Sequence, residues 1–221
     1  MLTPCPLCQA HSLHPFFTQQ KNIPWRLYSP GCERAQVLQF FQCSTCHLIV
    51  KDPMIRATQE QQRAHYAKHN NDISDPGYRE HLLRLLTPLL PLLPDGALGL
   101  DYGCGPTTSM EVLMKERQIQ CHSFDPFFFP QTTLLRERAY DFITCSEVVE
   151  HFHEPHKELP RILALLKPGA TLAIMTQFPP LAFEEWWYHR DPTHVVFYSL
   201  STFEWIARRW SLDTVVTATN M

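Results

Sequence analysis

Cys5-Pro-Leu-Cys8 and Cys43-Ser-Thr-Cys46 are two C-x2-C pairs in the first quarter of the chain. Each pair places two thiolates on one tight turn, and two such turns complete the tetrahedral four-sulfur site that zinc prefers. A site closed by four thiolates has no open position for water, so the metal expected here is structural zinc. Cys32, His11, His14 and His47 lie nearby at poorer ligand spacing. A second chemistry is written in Leu100-Asp101-Tyr102-Gly103-Cys104-Gly105-Pro106. It reads as a strand that ends in a carboxylate and opens into a glycine turn, with a helix starting near Thr107 or Thr108. Gly103 and Gly105 permit a tight turn and close approach of the backbone to a ligand, and the helix start offers free N–H groups to polar ligand atoms. That is the chemistry of a nucleotide-like cofactor site. It lacks the third glycine that packing over a pyrophosphate needs, so an adenosine ligand without phosphates fits better.

Three further groups carry side chains that can react or bind. Asp125 closes the next strand-like run, at a place from which a carboxylate accepts hydrogen bonds from ribose hydroxyls; its competing role is that of a turn aspartate before Pro126. Ser146 and Glu147 close a third apolar run. His151, one helical turn beyond Glu147, is either a general base or a structural hydrogen-bond partner beneath the loop. His189, Asp191 and His194 share one short segment, where two imidazoles and a carboxylate can serve as base and orienting partner. The competing account is a loop that caps the following helix through Ser199 or Ser201. Trp186, Trp187 and Tyr188 give the same segment an apolar wall, suited to a planar substrate or to core packing.

These residues need elements to position them. The spacing predicts strands over 97–102, 119–124, 141–145 and 170–176, with helices over 108–117 and 157–166 between them. Short apolar runs separated by amphipathic helices argue for a parallel sheet covered on both faces, an α/β, Rossmann-like doubly wound fold. In such sheets ligands bind outside the carboxyl ends of the strands, which is where the glycine turn, Asp125 and Ser146-Glu147 fall. Ahead of this lies strand-like text, Ala35 to Phe41, leading into the second cysteine pair in the order of a zinc ribbon. Residues 54–68 have helix-compatible composition. A leucine-rich helix from Tyr78 is expected to be kinked or ended by Pro88 and Pro91. The expected organisation is a zinc-ribbon-like module over 1–53, a helical connection over 54–94 and a cofactor-binding domain over 95–221.

Bulk properties narrow the partners. The 221 residues carry a formal charge of −3 and a hydrophobic fraction of 44%, ordinary for a globular protein. No basic run marks a nucleic-acid partner, so DNA is not expected and RNA is not the default. No apolar stretch is long enough for a membrane span and the first residues lack the regions of a signal peptide, so the expected location is cytoplasmic. Eight cysteines in such a compartment point to metal ligands before disulfides.

Taken in order, Leu100-Asp-Tyr-Gly-Cys-Gly-Pro106, Phe124-Asp-Pro126, Tyr140-Asp-Phe-Ile-Thr-Cys-Ser-Glu-Val-Val-Glu-His151 and Leu166-Lys-Pro-Gly-Ala-Thr-Leu-Ala-Ile-Met175 resemble the successive motifs of class I S-adenosylmethionine-dependent methyltransferases. The likeness covers roughly 95–215. The cysteine pairs, Pro76-Gly77-Tyr78 and Trp187-Tyr-His-Arg-Asp-Pro-Thr-His-Val195 resemble small bacterial members of that superfamily. The resemblance implies that Asp101, Gly103 and Gly105 contact the methionine end of S-adenosyl-L-methionine, Asp125 its ribose, and that Ser146 and Glu147 border it. The chain departs from the family in having Thr107 at the third glycine and too few residues between Asp125 and 141 for the usual helix, strand and helix. A shortened sheet is expected, with Phe127, Phe128 and Phe129 either covering the adenine or packing. His151, His189, Asp191 and His194 are the candidate catalytic residues, and Cys5, Cys8, Cys43 and Cys46 the metal ligands. The expected acceptor is a small molecule; an rRNA or tRNA base, a non-catalytic cofactor- or protein-binding module, and a redox protein using the cysteine pairs are the alternatives.

Overall fold

The computed structural model describes residues 4–20, 37–53 and 56–217. Cys32 and the residues just ahead of Val37 in the expected strand lie outside them. The chain separates into two compact units. One is built from the described residues up to Gln62, from Glu150–His156 and from the chain beyond Thr176; the other from Arg63–Val149 and Lys157–Met175. The expected boundary at 94/95 is therefore not where the chain divides, and the segment 95–221 contributes to both units. The physical reason lies in β8 (Val196–Phe197), which pairs with an early strand rather than extending the parallel sheet.

The first unit carries a four-stranded sheet in the order β1-β2-β3-β8. Its strands are β1 (Leu13–Gln20), β2 (Val37–Cys43), β3 (Ile49–Lys51) and β8, all antiparallel to their neighbours. Leu38, Phe40, Ile49, Phe183, Trp186, Tyr188 and Phe197 form its apolar core. Helix α5 (Leu200–Trp210) starts at Ser199, whose hydroxyl accepts from the Thr202 N–H in a capping box, so the capping role foreseen for Ser199 is realised.

The second unit is a parallel sheet in the order β5-β4-β6-β7, made of β4 (Leu98–Tyr102), β5 (Gln120–Phe124), β6 (Tyr140–Ser146) and β7 (Leu166–Met175). The central strands β4 and β6 are buried along nearly their whole length, which is why their sequences are continuous apolar runs. Helix α1 (Gln59–Tyr66) is followed by α2 (Pro76–Leu89), α3 (Ser109–Lys115) and α4 (Pro155–Leu165). Asp75 caps α2 by accepting from Gly77 N–H at 2.8 Å, with Pro76 in the first turn where its missing donor costs nothing. Leu82, Leu85, Leu86 and Leu89 pack with Met110, Leu113, Met114, Cys121 and Phe142. Pro88 lies inside α2, and the chain changes to a single 3-10 turn over Leu90–Leu92 around Pro91. Between β5 and β6 only a 3-10 turn, Thr132–Leu134, intervenes, so the sheet is shortened as expected. The fold is a shortened Rossmann-like α/β sheet.

Among the described residues no helix is long and apolar enough to cross a membrane.

Candidate functional site

The carboxyl ends of β4, β5 and β6 bring Asp101, Gly103, Gly105, Asp125, Ser146 and Glu147 to one edge of the parallel sheet. Gly103 has φ +83°, and a Cβ there would lie 2.7 Å from the methyls of Val148, so both backbone conformation and space demand glycine. Gly105 has φ +69° and donates its N–H to Asp125 Oδ2 at 3.1 Å. Asp125 Oδ1 accepts from Phe127 N–H at 2.7 Å and Phe128 N–H at 3.1 Å. Asp125 is thus both the turn aspartate before Pro126 and the brace of the glycine turn. A carboxylate has about four lone-pair sites, so capacity for one more donor remains. Thr107 donates its hydroxyl to the Asn71 carbonyl at 2.9 Å and Ser109 does so at 2.7 Å, which explains a hydroxyl where a third glycine was absent. Phe127 rests against Tyr66 with ring centroids 5.9 Å apart. An open hollow of about 390 Å³ is lined by residues 69–73 and 106–109, beside the glycine turn rather than over Asp101 and Asp125.

Asp101 is the electrostatic centre of this edge. Burial pushes its carboxyl up to about 7; the Thr144 hydroxyl, donating at 2.8 Å, opposes that rise, and the charges of Asp125 and Glu111 add to it. Tyr78, on α2, has its phenol raised by burial and then by the charges of Asp101 and Cys104. Glu147 adopts φ +54°, donates its N–H to the Met175 carbonyl at 2.8 Å and lies 4.0 Å from His81 Nε2.

The cysteine pairs fold into two matching turns. Gln9 N–H reaches the Cys5 carbonyl and His47 N–H the Cys43 carbonyl, each at 2.9 Å, with Gln9 and His47 both left-handed. Sγ of Cys5 lies 3.5 Å from that of Cys46, Cys8 is 3.5 Å from Cys43, and all four donor atoms lie within 4.8 Å of one another. A tetrahedral zinc site with Zn–S near 2.3 Å has sulfurs about 3.8 Å apart, so the set fits the ion. The Cys5 thiol is pulled down to about 5, chiefly by the adjacent Cys46, whose own ionisation is pushed up by that same contact and by burial. Without a cation the four sulfurs would not all ionise at this spacing, since the same contacts that lower Cys5 raise Cys46.

The four expected catalytic residues lie in the first unit and have different surroundings. His189 is fully buried, stacks on Phe183 with centroids 4.8 Å apart, and places Nε2 3.1 Å from Gln19 Oε1. A ring so enclosed packs the core and offers no surface to a substrate. Asp191 Oδ1 accepts from the Thr193 N–H at 2.8 Å and hydroxyl at 2.6 Å, shaping the turn, while its carbonyl receives Lys51 Nζ at 2.5 Å. His151 and His194 come together, ring centroids 4.8 Å apart. Burial holds the His194 imidazole well below its usual range, with the nearby His151 acting in the same direction. Trp186 and Tyr188 are core residues, whereas Trp187 is 60% exposed.

Residues 66–215 match the family described as a methyltransferase domain, more than half of the chain. The chain belongs to that methyltransferase family. The match agrees with the methyltransferase resemblance carried by the motif order. Among solved structures, phosphoethanolamine N-methyltransferase 2 of Haemonchus contortus in complex with S-adenosyl-L-methionine is 19% identical, with a TM-score of 0.46, covering 67% of this chain. This chain spans 40% of that protein's length. The YcgJ protein of Bacillus subtilis is 18% identical with a TM-score of 0.40, covering 60% of this chain and 67% of its own. A methyltransferase of Thermotoga maritima, described as a possible histamine N-methyltransferase, is 16% identical with a TM-score of 0.39, covering 57% and 69%. No curated protein matches the chain.

For a methyltransferase, the residues at the sheet edge fit the cofactor chemically. The buried carboxylate of Asp101, favoured by the Thr144 hydroxyl, is a partner for an ammonium group, and the Asp125-braced turn presents the bare backbone of Gly103 and Gly105. Sequence reasoning missed Thr144, Val148 and Asn71. Thr144 had a signal, a hydroxyl inside an otherwise apolar strand; the roles of Val148 and Asn71 depend on tertiary packing alone. Lys51 was missed as well: it is fully buried, and burial, opposed by the charge of Asp191, lowers its ammonium to about 7.

Proposed function

We propose that this methyltransferase binds S-adenosyl-L-methionine at the carboxyl edge of β4, β5 and β6 and transfers its methyl group to a small-molecule acceptor. The observation that carries the reading is the bond from Gly105 N–H to Asp125, which ties the glycine turn and the acidic end of β5 into one rigid edge beside Asp101. When bound, the cofactor supplies a methyl group on a positively charged sulfur that leaves as a neutral thioether. The chain's work is then positioning and exclusion of water rather than covalent help. Asp101 holds the ammonium of the methionine end, and the Thr144 hydroxyl favours its ionised form for that purpose. Asp125 takes a ribose hydroxyl with its remaining acceptor capacity. Ser146 and Glu147 border the cofactor at the end of β6. The four cysteines hold a structural zinc ion in the first unit, supported by their sulfur spacing. A net charge of −3 without a basic run favours a small molecule over RNA as acceptor.

Incubation of the protein with methyl-labelled S-adenosylmethionine and fractionated cell extract tests the reading. Label is expected in a low-molecular-mass fraction and absent with Asp101→Ala. Label in RNA would move the acceptor to a base, and an intact cofactor complex with no transfer to any fraction would favour a binding module.

A further inference from the structure

Glu150, His151 and His194 bring one carboxylate oxygen and two imidazole nitrogens within 4.8 Å of one another, in a place separate from the four cysteines. Glu150 is fully buried, His194 is 6% exposed, and the His151 side chain, 17% exposed, opens the group to solvent. We propose that these three residues form a second metal site, for a divalent first-row transition ion such as zinc, with an open position for an oxygen-donor ligand.

The decisive feature is how the two rings are held. His151 Nδ1 lies 3.0 Å from the Thr193 carbonyl and His194 Nδ1 lies 2.8 Å from the Tyr188 carbonyl. A carbonyl only accepts, so Nδ1 carries a proton in both rings, and each ring in its neutral form presents a lone pair at Nε2. Metal-bound histidines are held in this way, with the far N–H pinned to a carbonyl to set tautomer and orientation. His151 Nε2 is 3.9 Å from Glu150 Oε1. The same oxygen receives the Tyr188 hydroxyl at 2.5 Å, the outer bond that orients a ligating carboxylate. The scaffold is fixed by the backbone as well: Val195 N–H donates to the Glu150 carbonyl at 2.9 Å, tying the 3-10 turn Val149–His151 to the segment bearing His194.

Metal–nitrogen and metal–oxygen bonds near 2.1 Å place tetrahedral donors about 3.4 Å apart, so the three need only draw together by roughly an ångström. Two imidazoles and a carboxylate are the donor set of sites that keep a position open, unlike the closed four-thiolate centre. The site stands independently of methyl transfer.

The test is metal stoichiometry on the full chain, stripped and reloaded with Zn²⁺ or Co²⁺ alone, followed by gel filtration and elemental analysis. Wild type is expected to hold one more equivalent than Glu150→Gln or His151→Ala, while Cys5→Ser retains that equivalent. Tyr188→Phe keeps the ligands and is expected to weaken the second ion by about 10–100-fold. In the cobalt titration of wild type, ligand-field absorption should keep growing after the thiolate charge-transfer bands saturate, a readout that requires no variant to fold. Equal equivalents in wild type and both ligand variants, or no spectral change beyond the thiolate bands, would overturn the proposal and leave a hydrogen-bonded histidine–carboxylate group.

Discussion

Asp125 Oδ2 accepts the N–H of Gly105 at 3.1 Å, so the acidic end of β5 also fixes the glycine turn after β4. Loop geometry and, on the proposed reading, cofactor recognition therefore rest on one carboxylate. Asp125→Ala removes the acceptor for Gly105, Phe127 and Phe128 N–H groups at once. The expected result is a stability loss of about 1 kcal/mol or more in chemical denaturation, the cost of leaving three half-buried donors without their partner, together with loss of cofactor binding. Asp125→Asn, which keeps one oxygen, should recover part of the stability and less of the binding.

The proposed pairing of Asp101 with the cofactor ammonium predicts a pH-dependent affinity. Burial pushes the Asp101 carboxyl up to about 7, and an ammonium partner binds the ionised form. Affinity for S-adenosylmethionine, measured by calorimetry, should therefore weaken about tenfold per pH unit below 7 and level off above it. Thr144→Val removes a bond that favours ionisation and should move that profile to higher pH.

Asp101 also leaves a mark on stability. Its folded value lies above the unfolded one near 3.8, so the native state holds the proton more tightly. The group's contribution is full below about pH 4 and is lost as pH rises through 7. Asp101→Asn should flatten that slope in pH-dependent unfolding.

Gly103 and Val148 form a tight backbone-to-side-chain approach. Gly103→Ala meets φ +83° and a 2.7 Å clash with the Val148 methyls. A destabilisation of about 1–3 kcal/mol is expected from overpacking, beyond the backbone cost. Adding Val148→Ala should restore the packing part and leave the backbone part, a non-additivity readable from the two unfolding midpoints.

Much of this architecture was legible from residue patterns. Parallel strands were read from apolar runs such as Phe142 to Cys145, because strands buried on both faces have no alternation to blur them. The glycine turn and its acidic neighbours were legible because positive φ and strand ends leave strong residue signatures. The destination of the chain after Met175 was not. Val196–Phe197 is too short to reveal its pairing with Ile49–Val50, and long-range pairing is not encoded in local composition. The His189–His194 segment is ambiguous in sequence for a related reason. Polar residues that brace a turn or fill a core, as Asp191 and His189 do here, have the same letters as a catalytic group.

The most direct measurement of the central claim is equilibrium titration of the full-length protein with S-adenosyl-L-methionine by calorimetry at neutral pH. The account predicts saturable binding of one cofactor per chain, abolished by Asp101→Ala in a variant whose circular dichroism matches wild type. Absence of binding to wild type at high concentration, or unchanged binding in the variant, would contradict it.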